Sequence, residues 1–75
     1  MNYIVMEYQT TDADVTSALT SVHSTREEAE QKYHTILAAA AVSGLKYHGA
    51  LIMDAFGEVL KVEHYPEIQP ATEPE

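Results

Sequence analysis

Two histidines, His48 and His64, have the spacing that most suggests chemistry. The stretch between them, Asp54-Ala55-Phe56-Gly57, has the pattern of a three-residue hairpin loop with glycine in the left-handed position. If Asp54 faces Glu58, then His48 faces His64 across the hairpin. Adjacent imidazoles can bind a metal ion or act as acid and base. A zinc site needs three or four ligands, so no metal site is expected, and local hydrogen bonding of both rings is the alternative.

A second candidate surface lies on the predicted helix, where four alanines run from Ala38 to Ala41. Such small side chains allow close approach by another subunit, a partner protein or a ligand. Tyr33 and His34 come directly before this surface. His34 is therefore either a contact residue beside Ala38 and Ala41 or a solvated polar residue on the back of the helix.

The third candidate is Lys46-Tyr47-His48, directly after the helix. With Tyr65, these side chains could receive an anionic aromatic ligand such as a nucleotide, because rings stack on bases and cations meet phosphate. The chain has only 4 Lys and Arg residues, so a phosphate site would need most of them or two subunits. Ordinary strand surface is the alternative. The predicted ligand-binding or partner-binding residues are Tyr33, His34, Ala38, Ala41, Lys46, Tyr47 and His48.

The sequence contains no motif typical of an enzyme. It has no glycine-rich phosphate loop, no His-Glu-x-x-His, no Gly-x-Ser-x-Gly and no cysteine. We therefore expect a protein that is not an enzyme and that holds neither a metal nor a cofactor.

Hydropathy and turn residues predict four strands and one helix. The strands are expected at residues 3–10, 15–22, 47–54 and 58–65. The helix is expected to begin at a Ser24 or Thr25 cap and to end at Ser43-Gly44, with Gly44 as the left-handed cap. Its core-facing stripe is Ala29, Tyr33, Ile36, Leu37, Ala40 and Gly44. The predicted fold class is α+β, with β-β-α-β-β order and a four-stranded antiparallel sheet with one helix packed on one face.

Both faces of this predicted sheet carry apolar residues. The first strand offers Ile4 and Met6 on one side and Tyr3 and Val5 on the other. An antiparallel sheet with one wet face usually alternates more cleanly between apolar and polar residues. We therefore expect the second face to meet another copy of the protein.

The length and charge of the chain bear on its number of domains, its partners and its location. The 75 residues predict a single domain over 1–65, followed by a disordered, acidic and proline-rich tail over 66–75. The net charge of −8 disfavours direct binding to nucleic acid or anionic membranes, and it serves either solubility or binding of a cationic partner. The first residues lack a signal-peptide pattern, so a cytoplasmic location is expected.

The helix segment Lys32-Tyr33-His34-Thr35-Ile36-Leu37-Ala38-Ala39-Ala40-Ala41-Val42-Ser43 resembles small uncharacterised proteins of Firmicutes bacteriophages and prophages. The resemblance extends to a first strand like residues 3–10 and a closing hairpin like residues 52–63. It implies a phage gene product in the host cytoplasm. Small acidic phage proteins without enzyme motifs often inhibit host machinery or host defence, or are minor accessories of the particle.

The sequence predicts a small non-enzymatic interaction protein that acts as a homo-oligomer, with a homodimer as the leading form. The phage resemblance implies that it inhibits a host or defence factor. One alternative is a sponge that binds a nucleotide signal at a subunit junction. A further alternative is an acidic mimic of nucleic acid or a minor virion accessory protein. An accessory enzyme formed only in an oligomer is a last possibility.

Overall fold

The computed structural model describes residues 1–65, which form four strands and one helix. In chain order these are β1 (Tyr3–Thr10), β2 (Thr16–His23), α1 (Arg26–Ala40), β3 (Tyr47–Asp54) and β4 (Val59–Tyr65). The strands form one antiparallel sheet in the order β2-β1-β3-β4, so β2 and β4 are its edges. This confirms the predicted α+β class and the β-β-α-β-β order. The predicted tail, residues 66–75, lies outside the described residues.

The start of α1 follows from its capping residue. Thr25 has extended backbone angles, and its hydroxyl accepts a hydrogen bond from the backbone N–H of Glu28. This bond satisfies one of the N–H groups that the first helical turn leaves without a partner. Glu27 and Glu28 place negative charge beside the positive end of the helix dipole. Of the two predicted caps, the structure therefore selects Thr25.

The end of α1 differs from the prediction. The helix stops at Ala40, and Ala41 is still right-handed, with φ of −62°. The N–H groups of Val42 and Ser43 then bond to carbonyls three residues earlier, at 3.3 and 3.1 Å. These tighter turns satisfy the last helical carbonyls without a left-handed residue. The predicted Gly44 cap is therefore wrong, since Gly44 does not have a positive φ.

The core lies between α1 and one side of the sheet, which we call the helix side. Its buried members are Val5, Ala29, Tyr33, Ile36, Leu37, Ala50 and Ile52. The helical members lie three or four residues apart, so they form one stripe along α1. The predicted stripe is confirmed from Ala29 to Ala40, and Gly44 falls beyond the helix.

The hairpin from β3 to β4 has the predicted loop and an unpredicted bulge. Asp54 bonds to the carbonyl of Glu58 at 3.0 Å, and Gly57 has a φ of +92°, as a three-residue loop requires. Leu60 is then an extra residue, because Met53 pairs with Val59 whereas Ile52 pairs with Lys61.

The bulge shifts the register of β4 by one residue. His64 lies opposite Gly49, and His48 lies opposite Tyr65. Since neighbouring residues of a strand point to opposite sides, His48 and His64 lie on different sides of the sheet. The predicted pairing of these two histidines is therefore wrong, whereas next to the loop Asp54 faces Glu58 as expected.

Candidate interaction surfaces

The side of the sheet away from α1, which we call the outer face, is rich in apolar side chains. The strand registers place on it the large residues Ile4, Met6, Tyr8, Val22, Tyr47, Leu51, Met53, Val59 and Val62. Several are strongly exposed in the single chain, including Val22 at 64%, Val62 at 57% and Val59 at 48%. The remaining positions hold threonine, alanine, glycine and His64.

The charged residues of the strands do not lie on the outer face. Within residues 1–65, the strands carry Glu7, Asp54, Lys61 and Glu63 as their only Asp, Glu, Lys or Arg side chains, and the registers place all four on the helix side. A chain with 21% charged residues thus presents one sheet face with no formal charge other than what His64 can acquire.

Gly49 allows β4 to approach β3 closely in the middle of the outer face. It lies opposite His64, and a Cβ atom at Gly49 would overlap the Cβ of His64 and lie 2.5 Å from the carbonyl oxygen of Glu63. A side chain at this position would therefore push β3 and β4 apart. The absence of one lets His64 lie close to Gly49, which is buried.

A polar cluster lies on the helix side, at the edge of the core. The imidazole of His48 is 8% exposed, and its Nε2 lies 2.6 Å from a carboxylate oxygen of Glu7, which is 19% exposed. Gln9 donates a second hydrogen bond to the same oxygen at 3.0 Å. Burial acts to raise the pKa of Glu7, but the hydrogen bonds from His48 and Gln9 outweigh it. Together with the nearby charges of His48 and Lys32, they hold the pKa below its ordinary value of 4.5.

This cluster positions the strands beneath α1. His48 Nδ1 is buried and has no hydrogen-bond partner within residues 1–65. A hydrogen bond from Nε2 to a carboxylate holds an imidazole ring in one orientation. The pair therefore joins β1 to β3 across the helix side, and it encloses its polar atoms rather than presenting them to a substrate.

An open cleft separates α1 from β2. It has a volume of 330 Å³ and is lined by His23 of the strand and Glu28, Gln31, Lys32 and Thr35 of the helix. His23 Nε2 lies 2.8 Å from the hydroxyl of Ser21, two residues earlier on the same side of β2. Sequence reasoning missed Ser21 and His23 as surface candidates. Their two-residue spacing on a strand was the signal that places them side by side.

The residues predicted to bind a ligand or partner fall into separate places. Tyr33 is buried, and burial, followed by the charge of Glu63, raises the pKa of its phenol above 10. Its ring meets the ring of His34 edge to face at 5.3 Å. His34 is exposed, with Nε2 3.9 Å from Glu30. Ala38 and Ala41 are exposed on the same helix and its cap.

The remaining three predicted residues surround the start of β3. Lys46 forms an ion pair with Asp14, and its Nζ lies 5.9 Å from the centre of the Tyr47 ring. Tyr47 faces outward on the outer face, whereas His48 is buried on the helix side. The structure therefore brings together Tyr33 with His34, and Lys46 with Tyr47. It does not assemble the seven predicted residues into one site.

The described part of the chain contains no group of three His, Cys, Asp or Glu side chains able to hold a metal ion. No helix within residues 1–65 has the length and apolar character needed to cross a membrane. Comparisons of the chain with protein-family models, with curated proteins and with solved structures found no match.

Proposed function

We propose that this chain is a non-enzymatic interaction protein that acts as a homo-oligomer, in which the outer face of one copy packs on the outer face of another. The observation that carries the proposal is the exclusion of charge from an exposed sheet face. Large exposed apolar patches on small soluble domains usually mark interaction sites. Val22, Val59 and Val62 would be the most exposed large apolar residues of such a site.

The size of the outer face supports a second copy as its occupant. Four strands of about eight residues span roughly 27 Å by 19 Å. The footprint is roughly 500 Å² per copy, or about 1,000 Å² for the pair, which reaches the lower limit for a specific interface. Two sheets packed this way form a sandwich with a spacing of about 10 Å.

Charge distribution also favours this arrangement. Each copy carries a net charge of −8, so two copies repel one another at most orientations. Packing through the outer faces places α1 and the charged strand residues of both copies on the far sides of the sandwich. The contact then consists of apolar, threonine and histidine side chains.

We propose further that the oligomer inhibits a host or defence factor. The support is the resemblance of the segment from Lys32 to Ser43 to small phage proteins, together with the lack of enzyme motifs in the sequence. Expression in bacteria that carry a defined defence system, with the plating efficiency of a sensitive phage as the readout, tests this role. Restored plating supports it. Unchanged plating with every defence system tried would count against it.

Light scattering at micromolar concentration tests the oligomer. Val62→Glu places a carboxylate in the outer face and is expected to reduce the mass of the assembly. Val42→Glu is the matched control, because it makes the same chemical change at a residue that is 86% exposed beyond the end of α1. The control is expected to keep the mass of the native protein. Equal masses for the two variants and the native protein would refute the outer-face contact.

A further inference from the structure

The two edges of the sheet are protected very differently. An exposed edge strand can pair with any other strand, and proteins usually block it with charges, prolines or bulges. β4 has such protection, because it contains Lys61, Glu63 and the bulge at Leu60. β2 has the sequence Thr-Ser-Ala-Leu-Thr-Ser-Val-His, with no Asp, Glu, Lys, Arg, proline or glycine, and its register with β1 is unbroken over all eight residues.

The hairpin between β1 and β2 shows which backbone groups point outward. The N–H of Thr11 bonds to the carbonyl of Val15 at 3.0 Å. In an antiparallel pair, residues bonded to the neighbouring strand alternate with residues whose groups point away from it. Counting from Val15, the odd residues of β2 therefore bond to β1. The N–H and C=O groups of Thr16, Ala18, Thr20 and Val22 point to the open edge.

We propose that β2 pairs with β2 of a second copy, antiparallel and centred on Leu19. In this register Thr16 pairs with the partner's Val22, and Ala18 pairs with the partner's Thr20. The two-fold axis repeats both pairs, so four pairs with two hydrogen bonds each give eight bonds. Every outward N–H and C=O of Thr16, Ala18, Thr20 and Val22 in both copies is then satisfied.

The position of Leu19 favours this register and favours a second copy of the chain as the pairing partner. It lies on the helix side of the sheet, yet it is 65% exposed because α1 packs mainly over β1 and β3. Centring the pairing on Leu19 places it opposite the partner's Leu19 in a pair without hydrogen bonds, where side chains are closest. A register centred on Thr20 would instead place Leu19 opposite a serine and leave the groups of Thr16 without a strand partner.

The uncharged edge suits a second copy of this acidic chain. β2 is the only strand within residues 1–65 without an Asp or Glu or a Lys, so two copies meet there with no charge facing charge. Strand spacing sets the two α1 helices roughly 19 Å apart on the same side of an eight-stranded sheet. The cleft beside His23 then becomes half of a two-fold groove, whose other wall belongs to the partner.

The edge contact uses backbone groups, whereas the proposed outer-face contact uses side chains, so the two can be tested separately. If both form, light scattering gives 33 kDa for the native protein, four times 8.3 kDa. Thr20→Pro removes an N–H that points away from β1, so the single chain should still fold. It is expected to halve the mass, while Thr20→Val keeps the N–H and the native mass.

Leu19→Lys provides a second disruption that leaves the backbone intact. It places like charges opposite one another across the edge contact while reducing the overall net charge from −8 to −7. A loss of mass would therefore come from local and not from overall repulsion. Circular dichroism verifies folding, and this variant decides the question if Thr20→Pro does not fold.

Amide exchange measures the proposed pairing directly. The amides of Thr16, Ala18, Thr20 and Val22 are expected to exchange slowly in the native assembly and to lose that protection in Leu19→Lys. Loss of mass in the edge variants alone would support edge pairing and refute the outer-face contact, and loss in Val62→Glu alone would do the reverse. A native mass of 8.3 kDa would overturn both proposals, and rapid exchange of these four amides in the native protein would overturn edge pairing.

Discussion

The two sides of the sheet are formed by the same strands and have opposite chemistry. The helix side contains the core and every charged strand residue within residues 1–65, and two of these residues, Lys61 and Glu7, have side-chain partners there. Lys61 reaches Glu30 at 3.2 Å, and Glu7 meets His48 at 2.6 Å. The outer face is more exposed but carries no Asp, Glu, Lys or Arg.

A single sheet with one face in water normally shows the reverse distribution, with charges on the wet face. In this chain, Glu30 of α1 is the partner of Lys61, and His48 on β3 is the partner of Glu7, so these two charges are tolerated close to the core. Nothing within residues 1–65 supplies partners on the outer face, and charges are excluded from it. This difference is expected of a domain whose stability comes from one side and whose contacts come from the other.

The largest expected effect is the difference in the free energy of unfolding between substitutions on the two sides of the sheet. Ile52→Ala removes a side chain that is 0% exposed beneath α1 and is expected to lower the free energy of unfolding by about 2–5 kcal/mol. Val62→Ala shortens a side chain of the outer face and is expected to cost less than about 1 kcal/mol in the single chain. Urea denaturation at low protein concentration measures both. Equal losses would mean that the outer face stabilises the single chain as much as the core does.

A smaller difference in stability is expected between removing a paired charge on the helix side and removing a charge exposed to solvent. Glu7→Gln removes the negative charge that accepts hydrogen bonds from His48 and Gln9, and it is expected to cost about 1.5–3 kcal/mol near neutral pH. Glu27→Gln is the control, since Glu27 is exposed in the first turn of α1. It is expected to cost less than about 1 kcal/mol, because it loses only the interaction of an exposed charge with the helix dipole.

The same carboxylate predicts the direction of pH dependence. The pKa of Glu7 is lowered in the folded chain, so its contribution is fully present above the unfolded value of about 4.5. That contribution is lost as the pH falls through the lower folded value. The native protein should therefore lose more stability than Glu7→Gln when urea denaturation is repeated below pH 4.5. Parallel losses in both proteins would contradict this role for Glu7.

Local patterns in the sequence predicted the strands and the helix well, but they did not predict the register in which β4 pairs with β3. The stripe from Ala29 to Ala40 and the loop closed by Gly57 depend on neighbouring residues, so the sequence specifies them directly. The bulge at Leu60 has no such local signal, because it depends on how Leu60 and Lys61 both pack toward α1. That one extra residue separated His48 from His64 and removed the predicted histidine pair.

Surface features were also predictable where they depend on local pattern and unpredictable where they depend on the strand order of the sheet. Apolar residues at alternate positions of the first and third strands predicted a two-faced sheet, since side chains alternate along a strand. The open edge of β2 could not be predicted, because an edge is defined by strand order. The hairpin pairing of β1 with β2 left open whether β3 would add beside β1 or beside β2.

The smallest expected effect tests whether the back of α1 belongs with the outer face as a contact surface. Ala38→Lys adds a long charged side chain to the exposed alanine surface, in the last turn of α1, which has no basic residue. A positive charge near the helix C-terminus is favourable and offsets the lower helix propensity of lysine, so stability should change by less than about 0.5 kcal/mol. The mass of the assembly should not change.

Ala18→Lys makes the same substitution on the outer face and is expected to reduce the mass, because it places a charge in the proposed contact. If Ala38→Lys reduces the mass as much as Ala18→Lys does, then the alanine surface is itself a contact. The functional division would then lie between the core and the whole remaining surface, not between the two sides of the sheet.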